Sequence, residues 1–270
     1  MSYITVHEHL LRILLTRIKP GQKLKLLDAG CGTLGLEKYL TEKLQGTNVE
    51  IEYFGYDITG FSHSIHGWKE IINQDVGLKK SCAIENFVLV PFDPYNITFP
   101  DNFFDIVISN QVVEHVNDFS SFYSELDRTL KPLGIQIHCF PTKEILIEPH
   151  LRIPIVQKLL KKKYLFQYLK FMYLLKGENR EKYIRERISY MTTDTNYRNR
   201  TYHPGRFVKM NYKILPSYNL FFLVCRVQKL FRLEHRFKYF DLGIFEKLFS
   251  VVACRFYSIT VIVQKNIKKE

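Results

Sequence analysis

Apolar positions recur at Val6, Leu10, Ile13, Leu14 and Ile18, a helical spacing, and Pro20-Gly21 then ends the pattern. The run Lys23–Ala29 (KLKLLDA) predicts a short strand that enters a glycine-rich turn. A helix follows over Leu34–Leu44 and stops near Gln45-Gly46. Val49–Asp57 predicts a second strand, Phe61–Leu78 a partly helical stretch, Phe87–Pro91 a third strand and Phe104–Asn110 a fourth. Asp118 is placed to cap a helix that runs to Leu130 and ends before Pro132, and Ile135–Phe140 is a fifth strand. Strands alternating with helices predict βαβ units. The strands are nearly unbroken apolar runs, as expected when helices cover both faces of a parallel sheet.

The rhythm breaks after Pro141. A basic, aromatic stretch follows to about Gly205, and pattern then returns. Phe207–Leu215 reads as a helix, Asn219–Arg226 is apolar, Leu242–Phe249 reads as a helix and Phe256–Gln264 as a strand. With 270 residues, the chain fits a single α/β domain with a doubly wound, mostly parallel sheet. Residues 24–141 are its core, 142–205 a helical, basic insertion forming a lid, and 206–270 the part that completes the sheet.

Charge changes this picture most. Residues 1–150 hold 13 Lys and Arg against 19 Asp and Glu, whereas residues 151–270 hold 26 against 8. The basic half is therefore expected to meet something anionic: a membrane surface, a phosphorylated molecule or nucleic acid. The five cysteines are scattered and form no CxxC, so neither a disulfide framework nor a metal site is expected, and a reducing, cytoplasmic setting follows. The first twenty residues carry His and Glu within the apolar pattern and lack a small-residue cleavage site, unlike a signal peptide.

The candidate chemistry begins at Leu26–Gly35, LLDAGCGTLG. Gly30, Gly32 and Gly35 fit G-x-G-x-x-G between a strand and a helix, and Asp57 closes the next strand, a pattern that suits a nucleotide. Asp28 stands two residues before the first glycine, where a carboxylate suits a ligand with a positive amino group better than a pyrophosphate. This D-x-G-x-G turn resembles that of the class I S-adenosylmethionine-dependent methyltransferases, of the Glu-His-containing type that acts on small molecules. Three further stretches are similar to that family: VPFDPYNITFPDNFFD (90–105), ISNQVVEHV (108–116) and LDRTLKPLG (126–134). The resemblance covers residues 24–141. It implies that Asp28, Ala29, Gly30, Cys31 and Gly32 hold the methionine part of S-adenosylmethionine, and that Asp57 takes the ribose hydroxyls with Ile58 against the adenine. Asp93, with Pro94, reaches the adenine amino group, and Asn110 and Gln111 lie beside the cofactor. Gly35 falls one residue later than the family's usual third glycine, so the Thr33–Leu34 contacts are expected to differ.

Methyl transfer asks mainly for alignment and sometimes for removal of a proton. His115 and Glu114, after the fourth strand, and His150, after the fifth, are the catalytic candidates, with no metal. Glu114 and His115 serve equally well as packing or capping residues. The acceptor is expected to be a small, glycan-related or lipid-linked molecule. Ile155–Lys176 and Leu220–Arg236 mix aromatics and Lys or Arg as membrane-surface helices do, so peripheral contact with an anionic membrane, at its inner face, is expected. The Tyr- and Arg-rich stretch Tyr183–Arg206 keeps RNA as an alternative acceptor. A non-catalytic interaction protein with this fold is the other alternative, and a nicotinamide dehydrogenase is disfavoured by Asp28.

Overall fold

The computed structural model describes residues 3–58, 87–90, 97, 99–148, 153–154, 162–175, 196–223 and 258–267, with 181, 184–186, 188–189, 248, 251–252 and 255. Asp93, Pro94 and His150 lie outside the described residues, as do the expected helical stretch 61–78 and most of the expected helix over 242–249.

Helix α1 (Tyr3–Leu15) leads to strand β1 (Lys23–Ala29), helix α2 (Gly35–Leu44) and strand β2 (Glu50–Ile58). Then come β3 (Phe87–Val90), β4 (Phe104–Asn110), a 3₁₀ turn (Val113–His115), α3 (Phe119–Thr129) and β5 (Leu130–Phe140). The short pair β6 (Ile147–Glu148) and β7 (Ile153–Pro154) precedes α4 (Lys162–Leu175), α5 (Tyr202–Lys209), β8 (Tyr212–Leu215) and β9 (Ile259–Lys265). Seven strands form one sheet in the order β3-β2-β1-β4-β5-β9-β8. The first five run parallel, and β9 lies antiparallel to both β5 and β8.

Both faces of the sheet are buried, which is why its strands are apolar throughout. Along β4, Ile106 and Ile108 face the layer that contains Val6, Leu10 and Leu14 of α1 and Leu36 and Leu40 of α2. Phe104 and Val107 face Phe122, Tyr123 and Leu126 of α3 and Phe207 of α5. Asp118 caps α3 as its sequence predicts, its side chain accepting from the Ser120 and Ser121 N–H groups; such a cap is worth about 1 kcal/mol. One expectation fails at 207–215. The helix there is Tyr202–Lys209, Asn211 turns at φ 63, and Tyr212–Leu215 becomes the edge strand β8. Tyr212 and Ile214 alternate with lysine and leucine over only four residues, too short a run to separate a strand from the end of a helix.

A buried polar chain crosses the β4–β5–β8 side of the sheet. Ser109 Oγ meets His138 Nδ1 at 2.7 Å, and His138 Nε2 meets Gln136 Oε1 at 2.9 Å. Gln136 donates to the Tyr212 hydroxyl at 2.8 Å, and that hydroxyl donates to Asp127 at 2.7 Å. Burial lowers His138 to about 3, so it is a neutral strut. A fully paired chain of this kind fixes strand register and thereby the end of β4.

Candidate functional site

The strand order reverses between β1 and its neighbours β2 and β4. A crevice opens at the carboxyl ends of strands at such a switch point, and ligands bind there. Asp28 and Asp57 lie one residue before the carboxyl ends of β1 and β2, and Asn110 ends β4.

The glycine turn after β1 is tied to β2. Gly30 and Cys31 N–H both donate to the Tyr56 carbonyl, at 2.8 and 3.1 Å, and Gly32 N–H donates to Asp57 Oδ2 at 2.7 Å. Gly30 sits at φ +85, and a Cβ there would fall 2.3 Å from Val112 Cγ2, so no other residue fits. Gly32 sits at φ +49 and a Cβ there would meet nothing within 4 Å. Its backbone thus faces open space that a ligand can approach closely. The third glycine does not take the special conformation. Leu34 adopts φ 58, ψ 27 as the N-cap of α2, and Gly35 begins the helix. Gln111, in the turn after β4, also has φ 59. Two non-glycine residues in the left-handed region flank the crevice, where such strain is commonly held.

The electrostatics are acidic. Asp28, Glu37 and Asp57 are all buried around the turn. Burial first, then the Asp57 and Glu37 charges, raise Asp28 to about 7. Burial and the same aspartates raise the Cys31 thiol well above its ordinary value, so it is a packing residue and no nucleophile. A cationic ligand would relieve the carboxylate repulsion. Asn110 Oδ1 is buried with no hydrogen-bond partner among the described residues, an acceptor awaiting an N–H or O–H. An open glycine backbone, a cluster of carboxylates and an orphaned amide oxygen together fit S-adenosylmethionine, whose sulfonium and ammonium groups are positive.

The structure brings Asp28, Ala29, Gly30, Cys31, Gly32, Asp57 and Asn110 together. Gln111 is committed otherwise: its N–H donates to the Cys139 carbonyl at 2.8 Å, and its side-chain amide donates to Ser258 Oγ at 2.9 Å. Ile58 ends β2. Glu114 is buried and His115 half-buried in the 3₁₀ turn beyond Gln111. Sequence reasoning missed Glu37, Val112 and the strap at 196–200. The strap closes over the carboxyl ends of β4 and β5: Asn196 N–H donates to the Glu114 carbonyl, Asn196 Nδ2 to the Val116 carbonyl, and Lys143 N–H to the Arg198 carbonyl. Only Glu37 carried a signal, as an acid in the first turn of the helix after the glycines.

Residues 27–137 match the family model described as "Methyltransferase domain". The chain is similar to phosphoethanolamine N-methyltransferase 1 of Zea mays, with 32% identity over 117 residues, 43% of this chain and 20% of that one. It is also similar to demethylmenaquinone methyltransferase of Staphylococcus epidermidis, with 31% identity over 120 residues, 44% of each chain. The chain thus spans less than half the length of these curated relatives. Among solved structures, the [4+2]-cyclase SpnF superposes with a TM-score of 0.52 at 15% identity, covering 99% of this chain and 85% of that one. A cyclase on this fold means that the fold does not itself specify methyl transfer, and the activity has to be argued from the site.

Proposed function

We propose that the protein transfers a methyl group from S-adenosylmethionine to a small lipid-related acceptor met at a membrane face, because residues 27–137 match a methyltransferase-domain model and the turn they contain suits that cofactor. The observation that carries the cofactor half of this reading is the acidic, open-backed turn at Gly32. Asp28 would hold the ammonium group, Asp57 the ribose hydroxyls and Asn110 Oδ1 a donor of the cofactor. When bound, the cofactor supplies a methyl group already activated on sulfur. The chain has to hold the acceptor in line and take its proton. His115, at the rim of the turn after β4, is the base in this reading. Glu114, buried in the same turn, is a positioning residue.

Two observations support the acceptor class. The relatives' names cite phosphoethanolamine and demethylmenaquinone as acceptors. Helix α4 packs Leu165 and Leu169 against Ile184 while Tyr164, Phe171 and Leu174 stand exposed on the opposite side, within the basic half. Among the described residues no helix is long and apolar enough to cross a membrane.

Calorimetry with S-adenosylmethionine and with NADH tests the first half. Binding of the former alone, lost in Asp57→Ala, is expected, and no binding would sink the reading. Methyl-labelled cofactor incubated with cell extract tests the second. Label is expected in the solvent-extractable lipid fraction, whereas label confined to RNA would reassign the acceptor.

A further inference from the structure

Three elements converge where the strap meets the amino end of α3. Arg198 of the strap places its guanidinium carbon 5.7 Å from the Phe119 ring centroid and 5.3 Å from that of Tyr202. Its Nε is buried and has no hydrogen-bond partner among the described residues. Arg206, on the next turn of α5 after Tyr202, repeats the condition: its Nε is also buried without a partner, and its Nη2 donates to Ser120 Oγ at 2.9 Å. Among the described residues neither guanidinium is ion-paired with a carboxylate. Asp118, whose carboxylate feels the Arg206 charge, is occupied as the α3 cap, accepting from Ser120 N, Ser121 N and Ser121 Oγ.

Buried N–H donors of a cation that lack an acceptor cost free energy, and such groups are uncommon in native structures. The aromatic rings of Phe119 and Tyr202 hold the Arg198 guanidinium in place, as cation–π packing does. His203 lies beneath, in contact with Phe119, Tyr202 and Phe140, its Nδ1 paired with the Tyr123 hydroxyl at 2.8 Å. It stays neutral, because burial and the charges of Arg206 and Arg198 hold it down to about 3. Two fixed cations with unused donors suit a dianion.

We infer that Arg198 and Arg206 form a binding site for a phosphomonoester group of the acceptor, at the end of the strap that crosses the turn carrying His115. The inference rests on the reading that the carboxyl end of β4 faces the acceptor. It explains why the strap is tied down at both ends of its short length, at Asn196 by Glu114 and at Arg200 by Glu144, whose carboxylate accepts the Arg200 N–H at 3.1 Å. A planar guanidinium held in this way can meet two phosphate oxygens at once, which an ammonium cannot.

Titration calorimetry with inorganic phosphate tests the site. Saturable binding is expected in the wild type and in Lys209→Gln, an exposed charge loss on the same helix. Arg198→Gln should weaken it at least tenfold, and Arg198→Lys, which keeps the charge but loses the fork, should weaken it less. The lysine variant decides the matter should the glutamine variant fold poorly. Equal affinity in the wild type and Arg198→Lys, or no saturable binding by the wild type, overturns the site. Competition then identifies the source. Displacement of phosphate by phenyl phosphate supports a free phosphomonoester, and displacement by phosphatidylcholine vesicles carrying phosphatidic acid supports a lipid headgroup; displacement by neither overturns the assignment. S-adenosylmethionine binding is measured on the same samples. Its absence in the wild type would count against the methyltransferase reading and leave the anion site standing.

Discussion

The two ends of the crevice are built by opposite means. Around β1 and β2, three buried carboxylates, Asp28, Glu37 and Asp57, crowd one glycine turn and hold it acidic. Around β4 and β5, Arg198 stands between the Phe119 and Tyr202 rings and Arg206 donates to Ser120 Oγ, so two guanidiniums make that side basic. The acidic end comes from one unbroken stretch plus the next strand, so its members are close in sequence. The basic end comes from α3, the strap and α5, whose members Phe119 and Arg206 are far apart in the chain. A cationic cofactor and an anionic acceptor would each find a complementary field and be steered to separate places.

The sharpest way to break the acidic end is steric. Gly30→Ala forces a methyl into Val112 at a left-handed φ. It is expected to destabilise the fold by about 2–4 kcal/mol in denaturant titration. Gly32→Ala meets no neighbour, so its stability should fall by only about 1 kcal/mol while cofactor binding by calorimetry is lost. If both substitutions harmed stability alike, the open space at Gly32 would not be a ligand site.

A smaller effect sharpens the charge comparison. With Asp28 raised to about 7, cofactor affinity should rise with pH up to that value, by up to about tenfold per pH unit below it, and proton release on binding should be visible as a buffer dependence of the heat. Asp28→Asn should flatten this profile. The sign for the ligand-free protein is opposite. A carboxyl whose folded pKa lies above its unfolded value stabilises at low pH and loses that stability as pH rises from 3.8 to about 7. Asp28→Asn should therefore raise the denaturation midpoint of the ligand-free protein above neutrality.

The basic side behaves in reverse. His138 and His203 are buried neutral, each lowered from 6.5 to about 3. A group depressed in this way stabilises the fold above its unfolded pKa, and that stability is lost as pH falls through the interval. Stability measured by denaturant titration should fall below pH 6.5 by about 1.4 kcal/mol per pH unit for each histidine. A flat acid limb would mean that the two rings are not enclosed as described. The smallest effect belongs to α4. Replacing Tyr164, Phe171 and Leu174 by Ser should reduce co-sedimentation with anionic vesicles several-fold without altering cofactor binding, and unchanged co-sedimentation would remove the membrane face from the reading.

The acidic end was legible because its chemistry is local. Asp28, Gly30, Gly32 and Asp57 are set by a strand, a turn and the next strand, and apolar runs with Gly between them announce that arrangement directly. The partners of Gln111 were not legible, for the converse reason. Its position after β4 is local, but its side chain is claimed by Ser258, 147 residues on, which brings the last strand's approach to the site. Residues 207–215 went the same way, because Tyr212 becomes strand only by pairing with Lys265 of β9.

By itself the sequence determined the α/β layering, the order of the parallel strands' elements, the glycine turn and the acids beside it, since each follows from side-chain periodicity and backbone freedom within some thirty residues of chain. Only the tertiary structure decided which polar groups are left without partners among the described residues. Whether Asn110 Oδ1 and the Arg198 and Arg206 Nε atoms find an acceptor or donor depends on what the rest of the fold places beside them. That is a property of three-dimensional packing, in which a group is satisfied by neighbours distant in sequence, and no local pattern encodes it.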